Sequence, residues 1–145
     1  MSFYDQGPLV RLDGKINAQS YVDMLQEFML PEFQVLKQLD IAVFQQDNAP
    51  WHKAKLTTAW FSANEIDVLK WPACSPDLSL IEDVWAIIVG RIRKMDLPKS
   101  KLLMVEKIFE LWDDFDQETI IKLVKSFKSR LEKVIEGDLI KKFYF

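Results

Sequence analysis

The sequence has 145 residues, of which 49% are apolar and 28% charged, and its net charge at pH 7 is −3. These values are those of an ordinary soluble globular protein of one domain, long enough to bury a real core. The acidic balance argues against a stand-alone DNA-binding module, because such modules carry a basic face that neutralises phosphates. It permits a nuclease core, in which bound divalent metals and a separate DNA-binding domain supply the positive charge.

The sequence also excludes two classes of location. No run approaches about 18 consecutive apolar residues, so a membrane span is excluded, and the N-terminus lacks the basic and apolar pattern of a secretory signal. The single cysteine, Cys74, cannot form an internal disulfide and suits a reducing compartment. We therefore expect an intracellular protein, nuclear or cytoplasmic, with no membrane partner.

The N-terminal part of the chain predicts one short strand and two helical segments. Leu9 to Leu12, which lies between a Gly-Pro and an Asp-Gly pair, is typical of a short strand closed by a turn. Asn17 is a good N-cap for the helix that follows. Pro31 is expected to end or kink that helix, and a second helical segment is predicted from Glu32 to Leu39. The apolar residues of the first helix recur at helical spacing: Tyr21, Met24, Leu25, Phe28 and Met29.

The next segments predict a strand, a helix and a second strand. Ile41 to Phe44 is a continuous apolar run, which is typical of a strand buried on both faces. Asp47, which follows it, is therefore expected at the C-terminal end of that strand. Asn48 as a cap and Pro50 in the first turn predict a helix that ends at about Phe61. Ile66 to Trp71 is predicted to form the next strand.

The remainder of the chain is predicted to be helical. Ser79-Leu80-Ile81-Glu82 fits the Ser-x-x-Glu capping box, which places Glu82 in the first turn of a helix from about Ser79 to Lys94. Two apolar stripes predict a helical C-terminal portion over about residues 100–136, and such stripes are usually packing surfaces. The stripe residues are Leu102, Val105, Ile108, Phe109 and Trp112, then Ile120, Leu123, Val124, Phe127 and Leu131.

Two segments carry the residues of chemical interest, QQDNAPWH at 45–52 and SPDLSLIEDVW at 75–85. Between Asp47 and Glu82 lie positions 48 to 81, that is 34 residues. Both motifs and their spacing closely resemble the second and third catalytic segments of mariner-type transposases, a branch of the DDE/D superfamily. The resemblance extends along almost the whole chain, from Gly7 to about Glu136.

This resemblance implies an α/β architecture, a truncated ribonuclease-H-like fold with about three short strands and five or six helices. It implies a single partial DDE catalytic domain over residues 1–145 that lacks the first two strands of the fold. In the family the first catalytic Asp lies on the first strand, upstream of this chain, whereas Met1 to Tyr4 already match the third strand. Around the third acid, Ser79, Leu80 and Asp83 replace the family's usual Asn, Pro and Asn.

Asp47 and Glu82 are the candidate catalytic residues and metal ligands. Phosphodiester cleavage and strand transfer by two metals need several carboxylates converging on the ions, and hard oxygen ligands select Mg²⁺ or Mn²⁺. Local sequence alone favours a turn-forming acid at Asp47 and a capping-box partner at Glu82. The two motifs, their spacing and their matched surroundings favour descent of both positions from catalytic ones.

His52 and Asn48 are candidate accessory residues beside Asp47. His52, the only histidine, matches the histidine of the family motif. It either faces the site or a phosphate, or it makes structural hydrogen bonds. One histidine cannot make a zinc site with Cys74 alone.

The clearest basic cluster is formed by Arg91, Arg93 and Lys94. These residues are candidate contacts to the DNA backbone, although a solvated helix end is the commoner explanation of such a cluster. The five tryptophans are too dispersed along the sequence to form a base-stacking platform, so most of them are expected in the core.

The function that the resemblance implies is metal-dependent DNA cleavage and strand transfer in DNA transposition, with transposon ends as the DNA partner. Intact relatives work as dimers or higher assemblies, which implies a homodimer. Because the first catalytic Asp is missing, we expect no strand transfer by this chain alone. The alternative is a non-catalytic, domesticated protein-interaction module that binds a partner through its C-terminal helices and the Phe143–Phe145 tail.

Overall fold

The structure, a computed structural model, describes residues 6–38, 42–72, 75 and 78–135. The chain divides into two compact units. The first, the Asp47 unit, is Val10–Cys74. The second, the Glu82 unit, combines Met1–Leu9 with Ser75–Phe145.

A long interrupted helix opens the Asp47 unit. Its first part, α1 (Ala18–Met24), begins after Asn17, whose side chain accepts hydrogen bonds from the backbone N–H groups of Gln19 and Ser20. The Ser20 hydroxyl accepts in return from the Asn17 backbone, so the predicted cap is confirmed as a reciprocal capping box.

The prediction that Pro31 ends the first helix is wrong, whereas a kink at this residue stays a prediction. The helix continues through a π-helical turn over Leu25–Met29 into α2 (Leu30–Gln38). The N–H of Leu30 donates to the carbonyl of Leu25, five residues back. Proline has no N–H to give to the residue four positions before it, and a wider turn at this point accommodates that loss. Leu39 and Asp40 lie outside the described residues, as does Ile41.

The three predicted strands are not found among the described residues. Leu9 to Leu12 forms no β-ladder with described residues. The other two predicted strands, Ile41 to Phe44 and Ile66 to Trp71, are represented by one parallel bridge between Phe44 and Val68. The N–H of Phe44 donates to Asp67 O (3.0 Å), and the N–H of Leu69 donates to Phe44 O (2.8 Å).

The expected burial on both faces is wrong for the described residues Ala42 to Phe44, whereas Ile41 lies outside them. Side chains alternate, since Ala42 and Phe44 are half-buried whereas Val43 is 61% exposed. Such alternation belongs to an extended segment with one covered face. Asp47 lies three residues further along, on the exposed side of this alternation.

The predicted helix after Asn48 begins later than expected. The N–H groups of His52 and Lys53 both donate to Ala49 O, which closes a turn, and α3 spans Lys55–Ala63. The core of the unit forms between these elements and the bridge segments. It consists of Tyr21, Leu25, Leu30, Phe33, Phe61 and Ile66.

Three helices form the described part of the Glu82 unit: α4 (Leu80–Ile92), α5 (Lys101–Asp113) and α6 (Gln117–Ile135). Ser79 is the N-cap of α4, as predicted, but its side chain makes no capping hydrogen bond. The predicted capping box is therefore not formed, because the N–H of Glu82 donates instead to the backbone carbonyl of Ser79 (3.2 Å). Glu82 lies in the first turn, which confirms that part of the prediction.

The caps of the two later helices use side chains. The Ser100 hydroxyl accepts from Leu103 N at the start of α5. At the start of α6, the Asp116 carboxylate accepts from the hydroxyl of Thr119 (2.6 Å) and from its backbone N–H (2.8 Å). The hydrogen bond from the Thr119 hydroxyl is the largest cause of a lowered pKa at Asp116.

The core of the Glu82 unit lies between α4, α5 and α6. On α5 the predicted stripe is only partly correct, because Leu102 is 61% exposed whereas Leu111 and Trp112 are buried. Ile120 of the predicted α6 stripe is fully buried. The buried residues of this core are Val84, Ile88, Ile92, Leu111, Trp112, Phe115 and Ile120.

Candidate functional site

The Asp47 carboxylate is held by its own loop. Its Oδ1 accepts a hydrogen bond from Ala49 N (2.9 Å) and lies 2.6 Å from His52 Nδ1. The same ring nitrogen lies 3.2 Å from the backbone carbonyl of Asp47. The turn chemistry foreseen for Asp47 is therefore formed, yet the side chain is 69% exposed. From the described residues, no hydrogen bond or ion pair reaches Oδ2.

The His52 side chain is enclosed, with 15% of its surface exposed. The ring of Tyr21, on α1, lies against it with 4.4 Å between ring centroids. The Tyr21 hydroxyl donates to Gln46 Oε1 (2.7 Å). Burial raises the pKa of Tyr21, and the nearby charge of Asp47 raises it further. Tyr21 thus stays a neutral phenol and a hydrogen-bond donor.

Asn48, the second candidate accessory residue, makes its hydrogen bond outside this cluster. Its Nδ2 donates to Trp71 O (3.0 Å), so it ties the Asp47 loop to the segment that follows Val68. Thr57 of α3 fixes the other end of the loop, because its fully buried hydroxyl donates to Trp51 O (2.6 Å).

Glu82 is an exposed residue of the first turn of α4. Its neighbour Asp83 forms an ion pair with Arg130 of α6, with 2.6 Å between Oδ2 and NH1. These two side chains are only 20% and 17% exposed. Arg130 Nε also donates to Ser126 Oγ (3.1 Å). The residue that replaces the usual Asn of the motif is therefore used to join the start of α4 to α6.

The three basic residues of the candidate DNA-contact cluster have different surroundings. Arg91 lies 3.5 Å from Asp114 and places its guanidinium 5.2 Å from the centre of the Phe115 ring. Arg91 therefore packs within the Glu82 unit. Arg93 and Lys94 follow α4 and are exposed. Their contact with DNA stays a prediction.

The described residues supply metal-binding groups of the right kind but in small number. Asp47 and Glu82 offer exposed carboxylate oxygens, which are the donors that Mg²⁺ and Mn²⁺ prefer. Among the residues of known placement, no group of three or more His, Cys, Asp or Glu side chains is arranged to hold a metal. Cys74 and Asp77 lie outside the described residues.

Two functional candidates were missed from the sequence, Tyr21 and Arg130. Tyr21 was assigned to an apolar stripe, and only its phenolic hydroxyl marked it as needing a polar partner. Arg130 lies at the edge of the apolar face of α6. A charged side chain that is partly buried at such a position is expected to pair with an acid.

Within the residues that the structure describes, none of the helices combines the length and the apolar character that spanning a bilayer requires.

A protein-family comparison matches residues 4–103, which contain both motifs, to the model of the DDE superfamily endonuclease. The chain is 30% identical over 130 residues to the transposable element Tcb2 transposase of Caenorhabditis briggsae. It is 29% identical over 125 residues to the Tc3 transposase of Caenorhabditis elegans. These alignments cover 90% and 86% of this chain but only 47% and 38% of the relatives. The chain thus spans about half the length, or less, of the curated relatives it matches.

Solved structures of the Mos1 mariner transposase are similar to this one. The catalytic domain of Mos1 with Raltegravir and Mg matches with a TM-score of 0.73 and 21% identity, over 95% of this chain and 69% of that one. The Mos1 paired end complex with Mn matches with a TM-score of 0.74 and 22% identity, over 91% of this chain and 39% of that one. These matches confirm the ribonuclease-H-like fold, whereas the three strands predicted within it are not confirmed.

Proposed function

Because the chain belongs to the DDE superfamily of endonucleases, in its mariner-type transposase branch, we propose that it contributes Asp47 and Glu82 to metal-dependent DNA cleavage and strand transfer. The observation that carries this proposal is the Asp47 carboxylate, held by Ala49 and His52 through one oxygen and exposed at the other. When bound, Mg²⁺ or Mn²⁺ would activate the attacking oxygen and stabilise the leaving oxygen.

The roles of the chain's own residues follow from their positions. Asp47 offers Oδ2 as a ligand while its loop fixes Oδ1. Glu82 offers its carboxylate from the first turn of α4, and the ion pair of Asp83 with Arg130 steadies that turn. Both residues are exposed, so each carboxylate is open to an approaching metal ion.

The DNA partner in this proposal is a transposon end, and Arg93 and Lys94 are the exposed residues that could neutralise its phosphates. A homodimer is part of the same proposal, because joining two transposon ends requires two such domains. Because the proposed substrate is DNA, we expect the activity in the nucleus, or in the cytoplasm if the DNA is located there.

The first test is a titration of the purified 145-residue chain with Mn²⁺ or Mg²⁺, following the unfolding temperature. A ligand at about 100 times its Kd stabilises a protein by about 2.7 kcal/mol, which for a domain of this size is about 8 °C. We expect a rise in the wild type and its loss in Asp47→Ala and Glu82→Ala. Asp13→Ala is the matched control, because Asp13 is an exposed acid paired with Arg11. No metal-dependent rise in the wild type would contradict the metal-binding part of the proposal.

The second test addresses catalysis. Because the described residues hold no cluster of three acids, we expect no strand transfer when this chain is incubated alone with transposon-end DNA and Mg²⁺. Metal-dependent cleavage at a transposon end, lost in Asp47→Ala, would show instead that two acids of this chain suffice.

The second candidate function is a protein-interaction module. It is favoured by apolar side chains exposed around a pocket of 210 Å³ between the end of α4 and the start of α5. Met95 and Leu103 are exposed apolar residues that line the pocket, and Leu97 and Leu102 are exposed apolar residues of the same stretch of the chain. The Phe143–Phe145 tail lies outside the described residues. Absence of metal binding together with unchanged stability in Asp47→Ala and Glu82→Ala would favour this candidate.

A further inference from the structure

We propose that Tyr21, acting through His52, is a positioning residue that fixes Oδ1 of Asp47 and leaves Oδ2 as the single metal-binding oxygen. This inference rests on the proposed function only for the identity of the ligand, a divalent cation. The position of the carboxylate is a property of the metal-free protein and can be measured without the ion.

The first step concerns the carboxylate itself. Asp47 Oδ1 accepts a hydrogen bond from the N–H of Ala49 (2.9 Å) and lies 2.6 Å from His52 Nδ1. An oxygen has two lone-pair sites, and these two donors occupy both of them. A metal ion that approaches Asp47 therefore meets an engaged Oδ1 and an open Oδ2, which favours coordination through one oxygen.

The second step concerns what keeps His52 in place. Its ring lies against Tyr21, 4.4 Å between centroids, and meets the edge of Trp51 at 5.9 Å. Trp51 is its chain neighbour in the same loop. Tyr21 lies on α1. The residue is 7% exposed and belongs to the core of the Asp47 unit. Tyr21 is therefore the contact that relates the His52 ring to a fixed element, whereas Thr57 of α3 holds the loop backbone at Trp51.

The third step concerns the phenol. The Tyr21 hydroxyl donates to Gln46 Oε1 (2.7 Å), and Gln46 Nε2 approaches the carbonyl of His52 at 3.4 Å. The hydroxyl thus orients a side chain of the same loop, whereas the ring restrains the imidazole directly. The ring is expected to matter more than the hydroxyl, because only the ring touches His52.

The experiment uses the fact that His52 is the only histidine, so every imidazole signal in an NMR spectrum belongs to it. Spectra of the metal-free protein are compared for the wild type, Tyr21→Phe and Tyr21→Leu. Phe33→Leu is the matched control, because it removes a buried ring of the same core that does not touch His52. Free Mn²⁺ is then measured by electron paramagnetic resonance to obtain its Kd for each variant.

In the wild type we expect a slowly exchanging Nδ1 proton and ring carbon-bound protons shifted by the Tyr21 ring current. Tyr21→Phe is expected to keep the ring-current shift, and Tyr21→Leu to lose both signatures. Partners that orient a metal ligand typically contribute about 10-fold or more to affinity, so the Mn²⁺ Kd should rise roughly 10-fold in Tyr21→Leu and less than about twofold in Tyr21→Phe.

Wild-type imidazole signals in folded Tyr21→Leu would overturn the inference, as would the same loss of signals in Phe33→Leu. An Mn²⁺ Kd that does not change in Tyr21→Leu would also overturn it. If the wild type binds no Mn²⁺, the proposed function fails. The metal-free spectra then decide the inference alone, because loss of both signatures in Tyr21→Leu only would still support the positioning role.

Discussion

The ion pair between Asp83 and Arg130 allows a quantitative test of how the start of α4 is held. We consider Arg130→Met, which keeps most of the aliphatic stem and removes the charge. Exposed ion pairs contribute about 0.2–1 kcal/mol, whereas removing one partner of a buried pair costs about 3–5 kcal/mol. With 20% and 17% of the two side chains exposed and 2.6 Å between the charged atoms, the pair lies nearer the buried limit.

We therefore expect Arg130→Met to lower the free energy of unfolding by about 2–3 kcal/mol, allowing for residual solvent screening. For a domain of this size that corresponds to a fall in Tm of about 6–12 °C. The assay is thermal unfolding followed by circular dichroism, with urea unfolding to measure the free energy directly. Lys122→Met is the control, because Lys122 of the same helix makes only an exposed pair with Glu118 and its loss should leave Tm nearly unchanged.

A double-mutant cycle with Asp83→Asn isolates the pair, which matters because both side chains make further interactions. The coupling free energy should be roughly 2 kcal/mol. Equal effects of Arg130→Met and Lys122→Met on Tm would refute the reasoning. A coupling near zero would show that Arg130 acts through packing instead.

Three further predictions concern side chains that hydrogen-bond to the backbone or to a neighbouring residue. Thr57→Val should cost about 1–2 kcal/mol in urea unfolding, because it removes the buried donor to Trp51 O, whereas Thr58→Val on the exposed side of α3 should cost less. Asn17→Ala removes the side-chain oxygen that accepts from the N–H groups of Gln19 and Ser20 at the start of α1, and it should cost about 1 kcal/mol in the same assay. The lowered pKa of Asp116 means that its stabilising effect is complete above the pKa of the unfolded state and is lost as pH falls through the folded value, so the Tm difference from Asp116→Asn should shrink in acid.

The sequence predicts local structure correctly where the stabilising interaction joins residues that lie close together in the chain. The cap at Asn17 and the position of Glu82 in a first turn depend only on neighbouring residues, and both were predicted. The start of α3 was misplaced, although Pro50 suggested a first turn. The Asp47 carboxylate caps the N–H of Ala49 in a short turn, and the helix begins only after that turn closes.

Partners that lie far apart in sequence could not be predicted. Nothing around Asp83 indicates that its cation lies 47 residues later, and nothing around His52 indicates a tyrosine from α1. The predicted strands are not confirmed among the described residues, for a related reason. An apolar run such as Ala42 to Phe44 shows that a segment can be buried, but the other segments of the fold decide whether one face or both are covered.

The π-helical turn over Leu25–Met29 has a consequence for how this segment tolerates changes in length. From Tyr21 to Phe33 is 33 − 21 = 12 positions, which in a regular α-helix at ~100° per residue would set them about 120° apart. One residue absorbed in the wider turn reduces this offset to about 20°, so both reach the same core. Deleting the exposed Glu27 would leave 12 − 1 = 11 positions, which in a regular α-helix at ~100° per residue give the same offset of about 20°, so both rings would still face that core. The wider turn therefore absorbs one residue without changing which rings reach the core, so the loss of one residue there would keep Tyr21 on the face that contacts His52, whereas an added residue would turn Tyr21 and Phe33 apart by a further ~100°.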